Sequence, residues 1–184
     1  MNGVKCAVSA IKRGGIIAHA TEGVWGLSCD PNSQSAIIRI LEIKQRSKSK
    51  GLLLIGGIVD FFDRELSTIK PDKRMEIEGS WPGHHTWVLP NTKDYSDWIT
   101  GGRETVACRV PSHEQARNLS ILFGGPLVST SANLSGSPEL KTEKAVRRDF
   151  EAMVDFILPG VIGKATGPSK IHGLDDSILR GERG

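Results

Sequence analysis

Short apolar runs recur along the chain at residues 16–20, 52–55, 86–89, 105–110 and 126–128, separated by segments whose apolar residues repeat at helical spacing. A chain patterned this way covers the two faces of a sheet by laying helices against them. The alternation is irregular, so the fold class expected is α/β, with a twisted mixed β-sheet and surrounding helices. Asn32 or Ser33 can cap a helix whose Ala36, Ile37, Ile40 and Leu41 form one stripe and which runs to about Arg46. Further helices are predicted over 4–12, stopped by Gly14-Gly15, over 58–69, 72–78 and 113–123, and from the capping Thr142 to about Met153. Short strands at 155–158, 169–172 and 177–180 close the chain.

A length of 184 residues suits one domain spanning the whole chain, large enough to bury about two thirds of its unfolded surface without a disulfide or metal. Hydrophobic residues at 38% and charged residues at 24% exclude a disordered chain. No apolar stretch approaches bilayer-crossing length, and Met1-Asn2-Gly3-Val4-Lys5 opens no secretory signal, so a cytoplasmic protein with no membrane partner is expected. Cys6, Cys29 and Cys108 are odd in number and far apart, which points to reduced thiols rather than a disulfide framework or zinc site. A net charge of +3 permits an anionic ligand or RNA and requires neither.

The candidate functional residues fall in separate segments. In GPLVSTSANLSGSP, residues 125–138, a strand continuing to Asn133 would project Ser129, Ser131 and Asn133 on one face and Thr130 and Ala132 on the other. Small donors and acceptors at a strand end suit an oxygen-rich ligand; the plainer reading is a turn whose Ser and Asn side chains satisfy local backbone groups. HATEGVWGLSCDP places Thr21 and Glu22 after a strand and before a glycine-punctuated turn, where open α/β sheets hold ligands. EIKQRSKSKG sets Lys44, Arg46, Lys48 and Lys50 at a helix end and in the loop beyond. Cations there complement the helix dipole, and an extended loop can also turn several of them toward one polyanion such as triphosphate. In ETVACRV, Thr105, Ala107 and Arg109 share a strand face opposite Val106, Cys108 and Val110, so Arg109 either reaches solvent or awaits a carboxylate. His84 and His85 are adjacent on an extended chain and point apart, with no HExxH, so no structural metal is expected. GVIGKATG lacks the phosphate-loop spacing, and Ser131 lies in Thr-Ser-Ala rather than a GxSxG elbow.

Taken together, the motifs resemble the YrdC-like family, the threonylcarbamoyl-AMP synthases. The resemblance rests on Thr21-Glu22 with Gly26-Leu27 and Cys29-Asp30, Lys44-Gln45-Arg46 with Lys50, and Trp81-Pro82-Gly83 with Thr86. It continues through Arg109-Val110-Pro111 with His113, Ser129 to Asn133 with Ser135-Gly136, Pro168-Ser169 and Arg180. The Lys-x-Arg and Ser-x-Asn pair is the family's signature, here Lys44, Arg46, Ser131 and Asn133. The resemblance covers nearly the whole chain and implies the short single-domain form, with a concave basic surface. The implied reaction joins L-threonine, bicarbonate and ATP into threonylcarbamoyl-AMP and pyrophosphate, for threonylcarbamoyladenosine next to the tRNA anticodon. It implies Lys44, Arg46, Lys50 and Arg180 on the phosphates, Ser131 and Asn133 on phosphate or ribose oxygens, and Thr105 between the two ligands. Thr21, Arg109 and Ser169 would take threonine. ATP enters as substrate with Mg²⁺ carried on it, and the implied partners are tRNA or double-stranded RNA and a downstream threonylcarbamoyl transferase. The alternative is a non-catalytic RNA-binding module using the same basic concavity. Ala20, Ser47 and His84 stand where the family commonly carries proline, and Trp25 holds an aromatic site; these departures adjoin binding residues and bear on pocket shape.

Overall fold

In the computed structural model, which describes residues 2–93 and 95–180, the apolar runs pair into one nine-stranded mixed sheet. The strands are β1 (Ile17–Ala20), β2 (Trp25–Cys29), β3 (Leu53–Ile55), β4 (His85–Pro90), β5 (Thr105–Arg109), β6 (Leu127–Ser131), β7 (Phe156–Ile157), β8 (Lys170–His172) and β9 (Ile178–Arg180). Their order is β7-β1-β2-β6-β3-β5-β4-β8-β9. β1 with β7, β3 with β5, and β4 with β8 are parallel, and the remaining neighbours are antiparallel. The helices are α1 (Asn2–Lys12), α2 (Gln34–Ile43), α3 (Asp63–Leu66), α4 (Pro71–Gly79), α5 (Asp97–Thr100), α6 (Glu114–Phe123) and α7 (Glu143–Phe150).

Strand alternation divides the interior into two cores. Ile17, Ile55 and Leu127 point to one side, where Ala7, Val8 and Ile11 of α1 and Leu119 of α6 cover them. Ala18, Leu54 and Val128 point to the other, against Ile37 and Ile40 of α2 and Val146 and Phe150 of α7. Ile37 and Ile40 are fully buried, so truncating either to alanine costs about 2–5 kcal/mol. The caps act as the sequence predicts: Ser33 Oγ accepts from Ala36 N and Thr142 Oγ1 from Ala145 N.

Three differences from the sequence reading matter for function. The segment 25–29, read as part of a glycine-punctuated turn, is a central strand: Trp25, Leu27 and Cys29 enter the core while Gly26 and Ser28 take the opposite face. Gly26 belongs there because a Cβ would stand 3.3 Å from Thr130 O on the paired strand. The helix expected over 58–69 is a single tight turn, Val59–Phe62, followed by α3; fully buried Phe62 packs on Trp81 with centroids 5.6 Å apart, and that packing overrides local periodicity. Finally, α2 stops at Ile43 rather than near Arg46, because Gln45 adopts φ +50°, a left-handed conformation that ends the helix between Lys44 and Arg46.

Candidate active site

That break sends the two cations of the Lys-x-Arg motif in different directions. Lys44 turns inward and is only 2% exposed. Its Nζ donates to Ser131 O at 2.5 Å, Asn133 O at 2.7 Å and Asn133 Oδ1 at 3.0 Å, which uses all three ammonium hydrogens. Burial pushes the ammonium down to about 8, with the nearby Arg46 adding to the shift. Arg46 leaves the helix, donates from Nε to Gly51 O at 3.1 Å, and lines a cavity bordered by residues of β2, β3, β5 and β6. Lys48 departs from the site: its ammonium lies 4.6 Å over the Trp98 ring.

β6 ends at Ser131, two residues short of the extension considered from sequence. Asn133 N then donates back to Ser131 O, and the Asn133 side chain folds home: Oδ1 accepts from Ser131 Oγ at 2.7 Å, and Nδ2 donates to Ser137 O at 2.6 Å. The local-turn reading describes Asn133, and Ser129 to Ser131 are placed where a ligand could reach them. Ser129, Thr130 and Ser131 line the cavity, while Asn133 serves the local turn and Lys44.

From the other side comes Arg109, the last residue of β5 and almost fully buried. Its Nη2 pairs with Glu22 Oε1 at 2.5 Å and with His84 Nδ1 at 3.1 Å, and its Nε donates to Gly83 O at 3.0 Å. Glu22 Oε1 also accepts from Ser112 N at 2.6 Å. Burial alone would raise the Glu22 carboxyl, but the Arg109 charge and these hydrogen bonds hold it below its ordinary value. Among the described residues Arg109 Nη1 makes no hydrogen bond, so one edge of the fork faces the cavity. The position that awaited a carboxylate has one already, and keeps donors for a second.

Arg180, the last residue of β9, also lines the cavity. It donates through Nε and Nη2 to Ser169 O at 3.3 and 3.1 Å, and Ser169 Oγ meets Thr86 Oγ1 at 2.8 Å. Burial first, then repulsion from Arg46 and Arg109, pulls the Arg180 guanidinium below its ordinary value. Arg180 is thus placed near two other arginines that line the same hollow, an arrangement that an anion would relieve. Thr21 lines the cavity too; its Oγ1 donates to Val24 O at 2.7 Å, which leaves its lone pairs to accept.

Thr21, Arg46, Lys50, Arg109, Ser131, Ser169 and Arg180 all line this cavity, about 120 Å³ in volume. Lys44 and Asn133 stand behind it. Thr105 lies outside, because cavity-lining Ala107 and Arg109 occupy the near end of β5 and Thr105 sits about 13 Å along the strand from Arg109. His84, Pro168 and Gly26 also line the cavity; in the sequence Gly26 and Pro168 stood only as motif residues and His84 only as a departure bearing on pocket shape, with no contact assigned to any of them. Size alone would favour another hollow of about 560 Å³ near Arg64, Lys93 and Tyr95. Chemistry does not, since that hollow brings two cations, Arg64 and Lys93, where the first brings Arg46, Lys50, Arg109 and Arg180 beside the Ser129–Ser131 hydroxyls.

This geometry can be set beside known proteins. A relative from Nitrosococcus oceani named threonylcarbamoyl-AMP synthase is 45% identical over 169 residues, covering 92% of this chain and 91% of its own. One of the same name from Hahella chejuensis is 39% identical and covers 96% and 97%. The crystal structure of P. abyssi Sua5 complexed with L-threonine superposes with a TM-score of 0.89 at 30% identity over 96% of this chain. The chain spans about half of that protein, 53%. E. coli YciO superposes with a TM-score of 0.81 at 26% identity, covering 96% of this chain and 87% of its own. A family model described as "Telomere recombination", comprising Sua5, YciO and YrdC, matches residues 9–181. A cationic cavity built on this mixed sheet, together with that match, places the chain in the Sua5/YciO/YrdC family.

Proposed function

We propose that the protein is a threonylcarbamoyl-AMP synthase, joining L-threonine, bicarbonate and ATP into L-threonylcarbamoyladenylate and pyrophosphate. The observation that carries this reading is the convergence of Arg46, Arg109 and Arg180 on one cavity edged by the Ser129–Ser131 hydroxyls. The amine of threonine and bicarbonate form a carbamate with loss of water; a carbamate oxygen then attacks the α-phosphorus and pyrophosphate leaves. Nucleophile and electrophile are both anionic, so the protein's work is to offset their repulsion and align them. A carbamate is already deprotonated, which accounts for a lining of arginines, lysine and hydroxyls without a carboxylate among the described residues.

Arg46, Lys50 and Arg180 take the phosphates, and Ser131 bonds phosphate or ribose oxygens. Lys44 and Asn133 act through Ser131: the buried ammonium pins the backbone of 131–133 so that the hydroxyl edge keeps its place. Arg109 Nη1 takes the threonine carboxylate, with Thr21 and Ser169 completing that subsite. A lining without carboxylates fits a Mg²⁺ ion that arrives held by phosphate oxygens. The product is an activated carbamoyl donor, which suits a downstream threonylcarbamoyl transferase acting on cytoplasmic tRNA. Among the described residues no helix is long and apolar enough to cross a membrane.

Pyrophosphate release, measured with threonine, bicarbonate and ATP each omitted in turn, tests the reading. Release only in the complete mixture supports it. A non-catalytic RNA binder would release none.

A further inference from the structure

His84 is the one histidine whose ring touches the carboxylate-binding arginine. It precedes β4, lines the cavity beside Thr21, Pro168 and Ser169, and places Nδ1 3.1 Å from Arg109 Nη2. A guanidinium only donates, so Nδ1 must accept, which fixes the neutral ring with its proton on Nε2. The two hydrogens of Nη2 are thereby divided between Glu22 Oε1 and His84 Nδ1, while Nε serves Gly83 O. Every donor on that edge of the fork is used, and the orientation left to Nη1 is the one facing the cavity. His84 Nε2 is buried without a partner, with the Gly167–Pro168 backbone alongside but outside hydrogen-bond geometry.

We propose that His84 is a positioning residue for the amino-acid subsite: its unprotonated Nδ1 locks the Arg109 fork, so that uptake of a proton by the ring weakens capture of the substrate carboxylate. The charged groups facing the ring are Arg109 from β5 and Glu22 from the β1–β2 turn. On β8, Lys170 N donates to His84 O, and the Lys170 ammonium acts on neighbouring His85. Burial and the Arg109 charge lower the imidazole from its ordinary value, so the neutral ring prevails at pH 7 and the cation forms only as pH falls below the usual histidine range. Once protonated, the ring presents N–H to N–H, and either His84 or Arg109 must swing away.

This inference rests on the proposed reaction, and the test separates the two. His84→Leu removes the acceptor; His84→Asn places a carbonyl oxygen where Nδ1 stands and cannot titrate. Pyrophosphate release is followed against threonine concentration, with ATP held constant and then varied, across about pH 5.5 to 8. The Leu variant is expected to raise KM for threonine about tenfold, as loss of a hydrogen bond to a charged group implies, with kcat and KM for ATP unchanged. The Asn variant is expected to recover most of that loss and, because protonation of the threonine amine and of bicarbonate lowers kcat/KM for threonine in every variant alike, to show a shallower acid decline than the wild type. An unchanged threonine KM in His84→Leu, equal losses for threonine and ATP, or an acid decline in His84→Asn as steep as the wild type's overturns the inference while the reaction stands. A wild-type protein releasing no pyrophosphate overturns the reaction, and the inference with it.

Discussion

Replacing Lys44 with methionine keeps the length and shape of the side chain and removes its three hydrogen bonds. Burial lowers Lys44 from 10.5 to about 8, a difference of about 3 kcal/mol against its charged form, which methionine no longer pays. Against that stand three charge-assisted bonds of about 1.5–3 kcal/mol each, whose acceptors Ser131 O, Asn133 O and Asn133 Oδ1 are left without a donor. The net loss of stability is on the order of 3 kcal/mol, read by urea denaturation. Activity should fall further than stability does, because residues 131–133 hold the hydroxyl edge proposed to take the nucleotide; kcat/KM for ATP drops while calorimetric binding of threonine persists. Lys44→Arg discriminates between roles: a cation that merely neutralised phosphate would be replaced by arginine, whereas the convergent acceptors around Nζ have no room for a planar fork. The pH dependence supplies an independent signature. Between pH 8 and 10.5 the unfolded chain holds the Lys44 proton and the folded chain sheds it, so this residue makes stability rise with pH over that window. Catalysis should decline over the same window, as the neutral amine keeps two donors for three acceptors. Full activity in Lys44→Met or in Lys44→Arg refutes the reasoning.

Three further outcomes are expected. His19 is fully buried, bonds Ser28 Oγ at 2.8 Å, and is lowered by burial to about 4; stability is complete above pH 6.5 and falls by about 3 kcal/mol as pH drops to 4, a loss that His19→Gln should flatten in acid denaturation profiles. Gly26→Ala puts a Cβ 3.3 Å from Thr130 O and 3.5 Å from Ser129 Oγ, so the variant should fold, by circular dichroism, yet show raised KM values for its substrates. Arg180→Gln should raise KM for ATP more than for threonine and, by relieving repulsion with Arg46 and Arg109, leave the melting temperature unchanged or higher; a selective loss of threonine binding contradicts the assignment.

Much of this was legible in the sequence where one local rule governed. The stripe Ala36, Ile37, Ile40, Leu41 with its Ser33 cap, and Thr142 before α7, are local signals and the structure keeps them. The segment 25–29 was misread because glycine is weak evidence for a strand, and only the approach of Thr130 O, a hundred residues away in sequence, makes glycine fit. The division of labour between Lys44 and Arg46 depended on a left-handed Gln45, which carries no compositional mark. Glu22 was visible at a strand end, but its pairing with Arg109 joins two distant segments and is a tertiary fact. Thr105 shared a strand face with Arg109 as predicted, yet a shared face does not mean a shared cavity when the strand runs past it.

The central claim is that one cationic cavity brings two anionic reactants into line. Carbon-labelled bicarbonate, followed into an adenylate product while pyrophosphate is counted in the same reaction, tests it most directly. One label is expected per pyrophosphate released, and none when threonine is omitted. Pyrophosphate formed at an undiminished rate without threonine, or with no label captured in an adenylate, would contradict the account.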